Sequence, residues 1–294
     1  MSHCGVVIPI YADNAQRVAY LRTALQSLSR QQAPFVGVVV DDGSPLSQQI
    51  SQTVASCNDA RLRYFKRAKP EFEAKSSSGP INYGIELLQS KEALCTTEKF
   101  SSFCYLHSDD MFSQDSLTQR LDKLDQNGIV HSGILLVNAQ NKPRKVSRGE
   151  TQSPFAMRHW TLLWSAYALD KTLEYTSQFG HGLFDPSLAA CEDLDATIST
   201  TCAVQDQVYS DSISYYYREE GVDRISAYVS KADQRAIREL VEQKHGFEKS
   251  PRKKVLSNLW SMTKVQSRGI RHILERPFRK KELSGIDDKL LNLD

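Results

Sequence analysis

Pairs of acidic residues occur at three points where an apolar run ends or a helical pattern begins: Asp41–Asp42, Asp109–Asp110 and Glu192–Asp193. The first pair follows the β-branched run of residues 36–40 and precedes the chain-breaking residues 43–45. A run without polar–apolar alternation predicts a strand that helices cover on both faces. Ligands of open α/β sheets bind at the carboxyl ends of such strands. A carboxylate at that end could therefore accept hydrogen bonds from a nucleotide base or a ribose.

The elements around these acids predict an α/β sheet. Residues 6–10 form a first predicted strand, in which Pro9 indicates a strand end or a sheet edge. Residues 18–29 have apolar positions at helical spacing, so they link the strands at 6–10 and 36–40 into a parallel βαβ unit. Further strands are predicted at residues 61–65, 103–107, 133–137 and 207–217, helices at 46–55, 81–88, 117–124, 165–173 and 232–245, and loops at 66–80 and 142–153.

Charge is distributed unevenly along the 294 residues, although the formal net charge is only +2. Residues 250–281 contain ten Lys or Arg and one acid, a net of +9, so the remainder has 27 basic and 34 acidic residues, a net of −7. Apolar residues, Trp260 among them, recur at helical spacing within this basic segment. It predicts an anionic partner, either a membrane surface or a polyanion, and we expect no nucleic acid. Packing on the rest of the chain or on another subunit is the alternative.

The remaining features of composition indicate a cytoplasmic protein, with peripheral membrane contact as the second option. The six cysteines are spaced singly, without a C-x-x-C pair, and are interpreted as reduced thiols rather than zinc ligands. The first ten residues contain no basic segment or long apolar segment typical of a signal peptide. No apolar run approaches the length of about 18 residues that a transmembrane helix needs.

Four motifs in sequence order resemble those of the inverting GT-A glycosyltransferases of family 2. They are a strand followed by DDGS at 41–44, a strand followed by SDD at 108–110, an ED pair at 192–193 that opens a helix, and YYYR at 215–218 followed by a loop with Ser226. The stretches at 76–84 and 215–230 also resemble the wall teichoic acid N-acetylglucosaminyl transferases. The resemblance implies a GT-A (Rossmann-like) domain, a mostly parallel sheet flanked by helices, at residues 1–230. A basic helical region at 231–294 would follow it.

The resemblance assigns the donor nucleotide to the carboxyl ends of the first strands. Asp42 would contact the uracil of a UDP-sugar, and Pro9 and Tyr11 would line the pocket for the base. Asp109 and Asp110 would bind Mn²⁺ or Mg²⁺, and Asp109 would also contact the donor. The family usually has D-x-D-D here, whereas this chain has a histidine in place of the first acid. That departure leaves open which group binds the ribose hydroxyls and how tightly metal binds.

The resemblance assigns the chemistry to Asp193, as the base that deprotonates the acceptor hydroxyl. Asp195 is the competing candidate, but helical geometry places two residues of this spacing about 200° apart, so they cannot both face one cleft. Arg218 and Arg224 fall where the family has a mobile loop that closes over the diphosphate. Asn82 would touch the nucleotide, although the arginine that precedes it in the family is isoleucine here.

Each of these groups also has a purely structural interpretation. The acids could cap helices or offset helix dipoles, and the arginines could form a solvated charged segment. The Ser/Gly-rich stretch 76–79 could bind an anion through its backbone or be a plain loop.

The resemblance implies an inverting, metal-dependent hexosyl- or N-acetylhexosaminyltransferase that acts on a bacterial surface glycan or a teichoic-acid-like polymer, lipid-linked or free. A catalytically inactive GT-A-like scaffold subunit is the alternative. Another nucleotide-dependent transferase is a third hypothesis, but the sequence lacks the G-x-x-x-x-G-K-[ST] phosphate-binding motif.

Overall fold

The computed structural model describes the chain at residues 3–68, 76–90, 94, 100–124, 128–147, 164–177, 182–203, 207–219 and 230–244. Its strands are β1 (His3–Ile10), β2 (Phe35–Asp41), β3 (Leu62–Lys66), β4 (Phe100–Tyr105), β5 (Met111–Phe112), β6 (Ile129–Val137), β7 (Pro143–Ser147), β8 (Trp164–Ala168) and β9 (Gln207–Arg218). Its helices are α1 (Ala15–Ser29), α2 (Ser47–Ser56), α3 (Ser78–Gln89), α4 (Ser116–Leu124), α5 (Leu169–Thr176), α6 (Glu192–Ala203) and α7 (Lys231–Lys244).

The strands form one sheet in the order β3-β2-β1-β4-β8-β6-β9-β5, and β7 also pairs with β6. The four strands from β3 to β4 are parallel, as the βαβ pattern predicts. β9 is parallel to β6, whereas β8 and β7 run antiparallel to it. The predicted α/β class with a GT-A arrangement of sheet and flanking helices is confirmed.

The parallel half of the sheet owes its stability to strands that are buried on both faces. In β2, Val38, Val39 and Val40 are fully buried, because helices cover both sides of an uninterrupted apolar run. Helix α3 packs directly on β1, where Gly84 lies so close to Val7 that any side chain at position 84 would overlap it. This contact fixes the start of α3 at the carboxyl ends of the strands.

Pro9 lies in a central strand, because β1 pairs with both β2 and β4. It is tolerated near the strand end, since the β1–β4 ladder stops at the pair Val7–Tyr105 while the β1–β2 ladder continues through Pro9. The strand-end interpretation of this proline is therefore right and the sheet-edge interpretation is wrong.

Besides shifts at the ends of elements, such as the start of α3 at Ser78 within the predicted loop 66–80, two segments differ from the sequence-based prediction. The predicted loop at 142–153 contains β7, which pairs with residues 134–137 of β6, beyond the point where the ladder of β6 with β8 ends. The predicted helix at 165–173 begins as the buried strand β8 and becomes helical only at Leu169. A short apolar run does not distinguish a buried strand from a buried helix, so the pattern alone could not locate this change.

The basic segment at 250–281 lies outside the described residues. The domain boundary at residue 230 stays a prediction. Within the described part of the chain, no helix is both long and apolar enough to cross a membrane.

Candidate active site

Hydrogen bonds to the Asp41 carboxylate hold the DDGS turn at the end of β2. One oxygen of the Asp41 carboxylate accepts the backbone N–H of Ser44 at 2.8 Å, and the other accepts the Tyr64 hydroxyl at 2.8 Å. Burial and this hydrogen bond raise the pKa of Tyr64 to about 12. The Ser44 hydroxyl accepts the backbone N–H of Ala12 at 2.9 Å, which ties the turn to the loop after β1.

Asp42 is 6% exposed and does not cap the next helix. Helix α2 begins after Leu46, whose side chain makes no capping bond, so the helix-capping interpretation of Asp42 and Ser44 does not apply. Asp42 instead forms an ion pair of 3.6 Å with Nε of Arg67, and both side chains are at most 8% exposed. The sequence analysis did not single out Arg67, although its place directly after β3 puts it at the same edge of the sheet as Asp42.

Pro9 and Tyr11 lie beside this turn, because the backbone N–H of Asp42 donates to the carbonyl of Ile10 at 2.9 Å. Pro9 is buried, and Tyr11 is one of two large hydrophobic residues among those described that are clearly exposed, at 40%. An exposed aromatic ring beside a buried carboxylate is suited to stacking on a base. The contact itself stays a prediction.

The carboxylate of Asp110 is hydrogen-bonded within the protein, and its assignment as a metal ligand stays a prediction. Its carboxylate is 1% exposed, accepts the Tyr215 hydroxyl at 2.8 Å and accepts the backbone N–H of Arg218 at 2.8 Å. The same Tyr215 oxygen accepts the backbone N–H of His107 at 3.1 Å. These bonds fasten the loop after β4 to β9. Helix α4 begins at Ser116, so the acids do not lie at its start.

Asp109 is the acid of this pair that stays half-buried. The part of the chain that the structure describes contains no cluster of three or more His, Cys, Asp or Glu that could hold a metal. Mg²⁺ and Mn²⁺ accept one or two protein carboxylates when substrate phosphates complete their coordination. The oxygen donor Asp109 therefore fits a divalent cation that arrives with a diphosphate.

Arg218 does not lie on a mobile loop, which corrects the position predicted for it. It is the last residue of β9 and is 2% exposed. Its guanidinium packs over the ring of Tyr20, 4.0 Å from the centroid, and donates to Asn141 at 2.8 Å. These contacts hold the guanidinium against the end of the sheet, and its predicted contact with the diphosphate stays a prediction. Arg224, its predicted companion, lies outside the described residues.

The acidic pair that opens α6 meets both the start of α3 and the end of β4. Glu192 accepts the Ser77 hydroxyl at 3.0 Å, and burial, then the charge of Asp193, raises its pKa above the ordinary value. Burial raises the pKa of Tyr105 well above its ordinary value, and the negative charges of Asp193 and Glu192 add to this effect. Because Tyr105 ends β4, the pair lies near the loop that carries Asp109.

Asp193 and Asp195 differ in their surroundings, as the helical geometry requires. Asp195 is 1% exposed and forms an ion pair of 2.9 Å with Lys244 at the end of α7. Lys244 also pairs with Asp185 at 3.4 Å. Asp193 is half-buried and next to Glu192. These contacts favour Asp193 over Asp195 as the residue available to a substrate.

Asn82 positions the loop that leads to α6. Its amide donates to the carbonyl of Phe184 at 2.7 Å and accepts the N–H of Phe184 at 3.1 Å. The Phe184 ring packs edge-on against Tyr105 at 5.3 Å between centroids. Gly182 has φ +83, and a Cβ there would lie 2.9 Å from the Asn82 side chain. The predicted nucleotide contact of Asn82 stays a prediction, and its observed contacts give it a positioning role.

Comparison with known structures identifies the fold. The crystal structure of Staphylococcus aureus TarS 1–349 in complex with UDP-GlcNAc matches with a TM-score of 0.60 and 20% identity, over 81% of this chain and 65% of that one. The S. aureus TarS structure matches with a TM-score of 0.57 and 18% identity, over 82% of this chain and 39% of that one. The chain thus spans less than two thirds of the length of these structures. No curated protein sequence matched the chain.

The profile of "Glycosyl transferase family 2" matches residues 5–182. The match covers more than half of the chain and includes the DDGS turn, the SDD loop and the start of α3. The chain belongs to glycosyl transferase family 2.

Proposed function

We propose that the protein is an inverting glycosyltransferase that moves a sugar from a UDP-sugar to a hydroxyl of a bacterial surface glycan or a teichoic-acid-like polymer. The observation that carries this proposal is the convergence of acids from distant parts of the sequence. Asp42 and Asp109 follow neighbouring regions of one parallel sheet, where β2, β1 and β4 end at the same edge. Asp193 adjoins Glu192, whose carboxylate accepts the Ser77 hydroxyl at 3.0 Å at the start of α3, the helix that packs on β1.

Asp193 acts as the base in the proposed reaction. It accepts the proton of the acceptor hydroxyl, and the oxygen forms a bond to the anomeric carbon of the donor. The bond from that carbon to the diphosphate oxygen breaks, and UDP leaves with the electron pair. Attack from the face opposite to the leaving group inverts the configuration of the carbon.

Asp109 is the residue that would hold Mn²⁺ or Mg²⁺ together with the donor phosphates. When bound, such a cation offsets the negative charge that develops on the leaving diphosphate. Asp110 contributes indirectly, because its bonds to β9 set the position of the neighbouring Asp109.

The nature of the acceptor is supported by charge and by structural likeness. A polyanionic acceptor suits the basic segment at 250–281, which could also hold the protein at the anionic inner face of a membrane. The similar S. aureus structure contains UDP-GlcNAc, which makes this the first donor to test.

Release of UDP from UDP-GlcNAc tests the proposal, measured with and without Mn²⁺ and with a polyol-phosphate acceptor. We expect Asp193→Asn to lower the rate about 10²- to 10⁴-fold, the usual contribution of a general base. It should still bind UDP in a calorimetric titration. Asp170→Asn, at an exposed acid of α5, is the matched control and should retain the wild-type rate.

Equal rates for Asp193→Asn and Asp170→Asn would refute the role of Asp193. Binding of UDP without turnover on any donor or acceptor would favour the inactive scaffold, to which the histidine at position 107 also points.

A further inference from the structure

Ser77 connects the start of α3 to the acidic pair at the start of α6. It is buried, and its hydroxyl donates to the Glu192 carboxylate at 3.0 Å across a sequence separation of 115 residues. Glu192 adjoins Asp193, the proposed base. The contact therefore reaches the backbone that carries the reacting carboxylate.

The Ser77 hydroxyl does not perform the task that is usual at its position. Ser77 is the N-cap residue of α3, where a serine side chain normally accepts a backbone N–H of the first helical turn. Here its side chain makes no capping bond. Helix α3 is held instead by its packing on β1, where Gly84 meets Val7. The hydroxyl is thus directed away from its own helix and towards Glu192.

The backbone next to the proposed base is one that needs support from its surroundings. Cys191 has φ +61, in the left-handed region that residues with a side chain seldom adopt. Such a conformation persists only where neighbouring contacts determine it. The Asp193 carboxylate accepts the backbone N–H of Leu194 at 2.8 Å, so its direction follows the first turn of α6.

We propose that Ser77 is a positioning residue for the base, because its hydrogen bond to Glu192 fixes the first turn of α6 and with it the direction of the Asp193 carboxylate. The inference rests on the proposed function, in which Asp193 deprotonates the acceptor. The bonds between Asn82 and Phe184 hold an earlier point of the same connection. Helix α3 thereby supports the chain that leads to the base at two places.

Steady-state kinetics of UDP release from UDP-GlcNAc, with a polyol-phosphate acceptor, test this inference. Ser77→Ala should lower kcat about 10- to 100-fold, because a small displacement of a catalytic group can cost about 10²-fold in rate. KM for UDP-GlcNAc should stay near the wild-type value, since the lost bond orients the base and not the donor. Ser77→Thr keeps the hydroxyl and should restore kcat.

Ser78→Ala is the matched control, with circular dichroism to show that each variant is folded. Ser78 is the next residue and is fully buried, but its hydroxyl has no hydrogen-bond partner among the described residues. We expect this variant to keep the wild-type kcat and KM. Equal losses of kcat in Ser77→Ala and Ser78→Ala would overturn the inference, as would a loss in Ser77→Thr as large as in Ser77→Ala.

The same kinetics in a Glu192→Ala background show whether Ser77 acts through Glu192. Ser77→Ala should then have little further effect on kcat, because the partner of the hydroxyl is already absent. A further loss as large as in the wild-type background would contradict the inference. A rise in KM at unchanged kcat in Ser77→Ala would assign the serine to donor binding and overturn the inference alone. Wild-type protein that turns over no UDP-sugar would overturn the proposed function as well.

Discussion

Replacement of Tyr215 by phenylalanine removes a single oxygen from the network that holds the loop after β4. The hydroxyl donates to Asp110 at 2.8 Å and accepts the backbone N–H of His107 at 3.1 Å. Tyr215 is fully buried and its ring packs edge-on against Phe112 at 5.8 Å, a contact that phenylalanine can keep. The substitution therefore isolates the two hydrogen bonds from the packing.

The expected loss of stability is the sum of the contributions of the two hydrogen bonds that the Tyr215 hydroxyl makes, to the Asp110 carboxylate and to the backbone N–H of His107. A hydrogen bond to a charged group contributes about 1.5–3 kcal/mol, and a buried amide left without an acceptor costs about 1–3 kcal/mol. Tyr215→Phe should thus lower the free energy of unfolding by about 2.5–6 kcal/mol, the sum of these two ranges. Because Asp109 adjoins Asp110, UDP binding should weaken as well.

Urea denaturation followed by circular dichroism measures the first effect, and calorimetric titration with UDP measures the second. The matched control is Tyr216→Phe, since the hydroxyl of this neighbouring, buried tyrosine forms no hydrogen bond to the described residues. We expect the control to change stability by less than about 1 kcal/mol. Equal losses in the two variants, or no loss in Tyr215→Phe, would refute the view that Tyr215 fixes the loop.

Two further predictions concern the other loops of the site. Gly182→Ala should destabilise the protein more than Gly43→Ala. Both glycines have positive φ, a backbone conformation that costs alanine about 1–2 kcal/mol. Only a Cβ at position 182 would also collide with the side chain of Asn82. Urea denaturation of both variants checks this, and equal losses would contradict it. Glu192→Gln should stabilise the protein at pH 7, because burial, then the charge of Asp193, raises the pKa of Glu192 in the folded state. A carboxyl group whose pKa is raised on folding lowers the stability of the protein once the pH exceeds its pKa in the unfolded chain. The stability gained by Glu192→Gln should therefore vanish as the pH falls below about 4.5. A gain that does not depend on pH would count against this cause.

The sequence predicts the first half of the fold well, because its signals are local. The apolar run of β2 ends at two acids and a glycine, and the helical spacing before it defines α1. Within this βαβ unit, hydrophobic periodicity and turn-forming residues alone locate the strand ends and the acidic residues that follow them.

The different surroundings of Asp109 and Asp110 could not be predicted in the same way. Asp110 is buried because Tyr215 and Arg218 reach it from β9, more than one hundred residues later in the chain. The sequence predicts that Arg218 begins a charged loop, and only the pairing of β9 with β6 shows that it ends a strand. Such roles depend on tertiary contacts that no local pattern encodes.

Arg67 is an intermediate case. Its position after a predicted strand was visible in the sequence, and parallel neighbours end at the same sheet edge. Only the register of β3 against β2 shows, however, that it lies next to Asp42.

The most direct test of the central claim is a crystal structure of the protein with UDP-GlcNAc and Mn²⁺. We predict the base beside Asp42 and Tyr11, the diphosphate and cation at Asp109, and the Asp193 carboxylate on the side of the anomeric carbon opposite to the diphosphate. A donor bound at another edge of the sheet, or an Asp193 side chain that faces away from the sugar, would contradict the account.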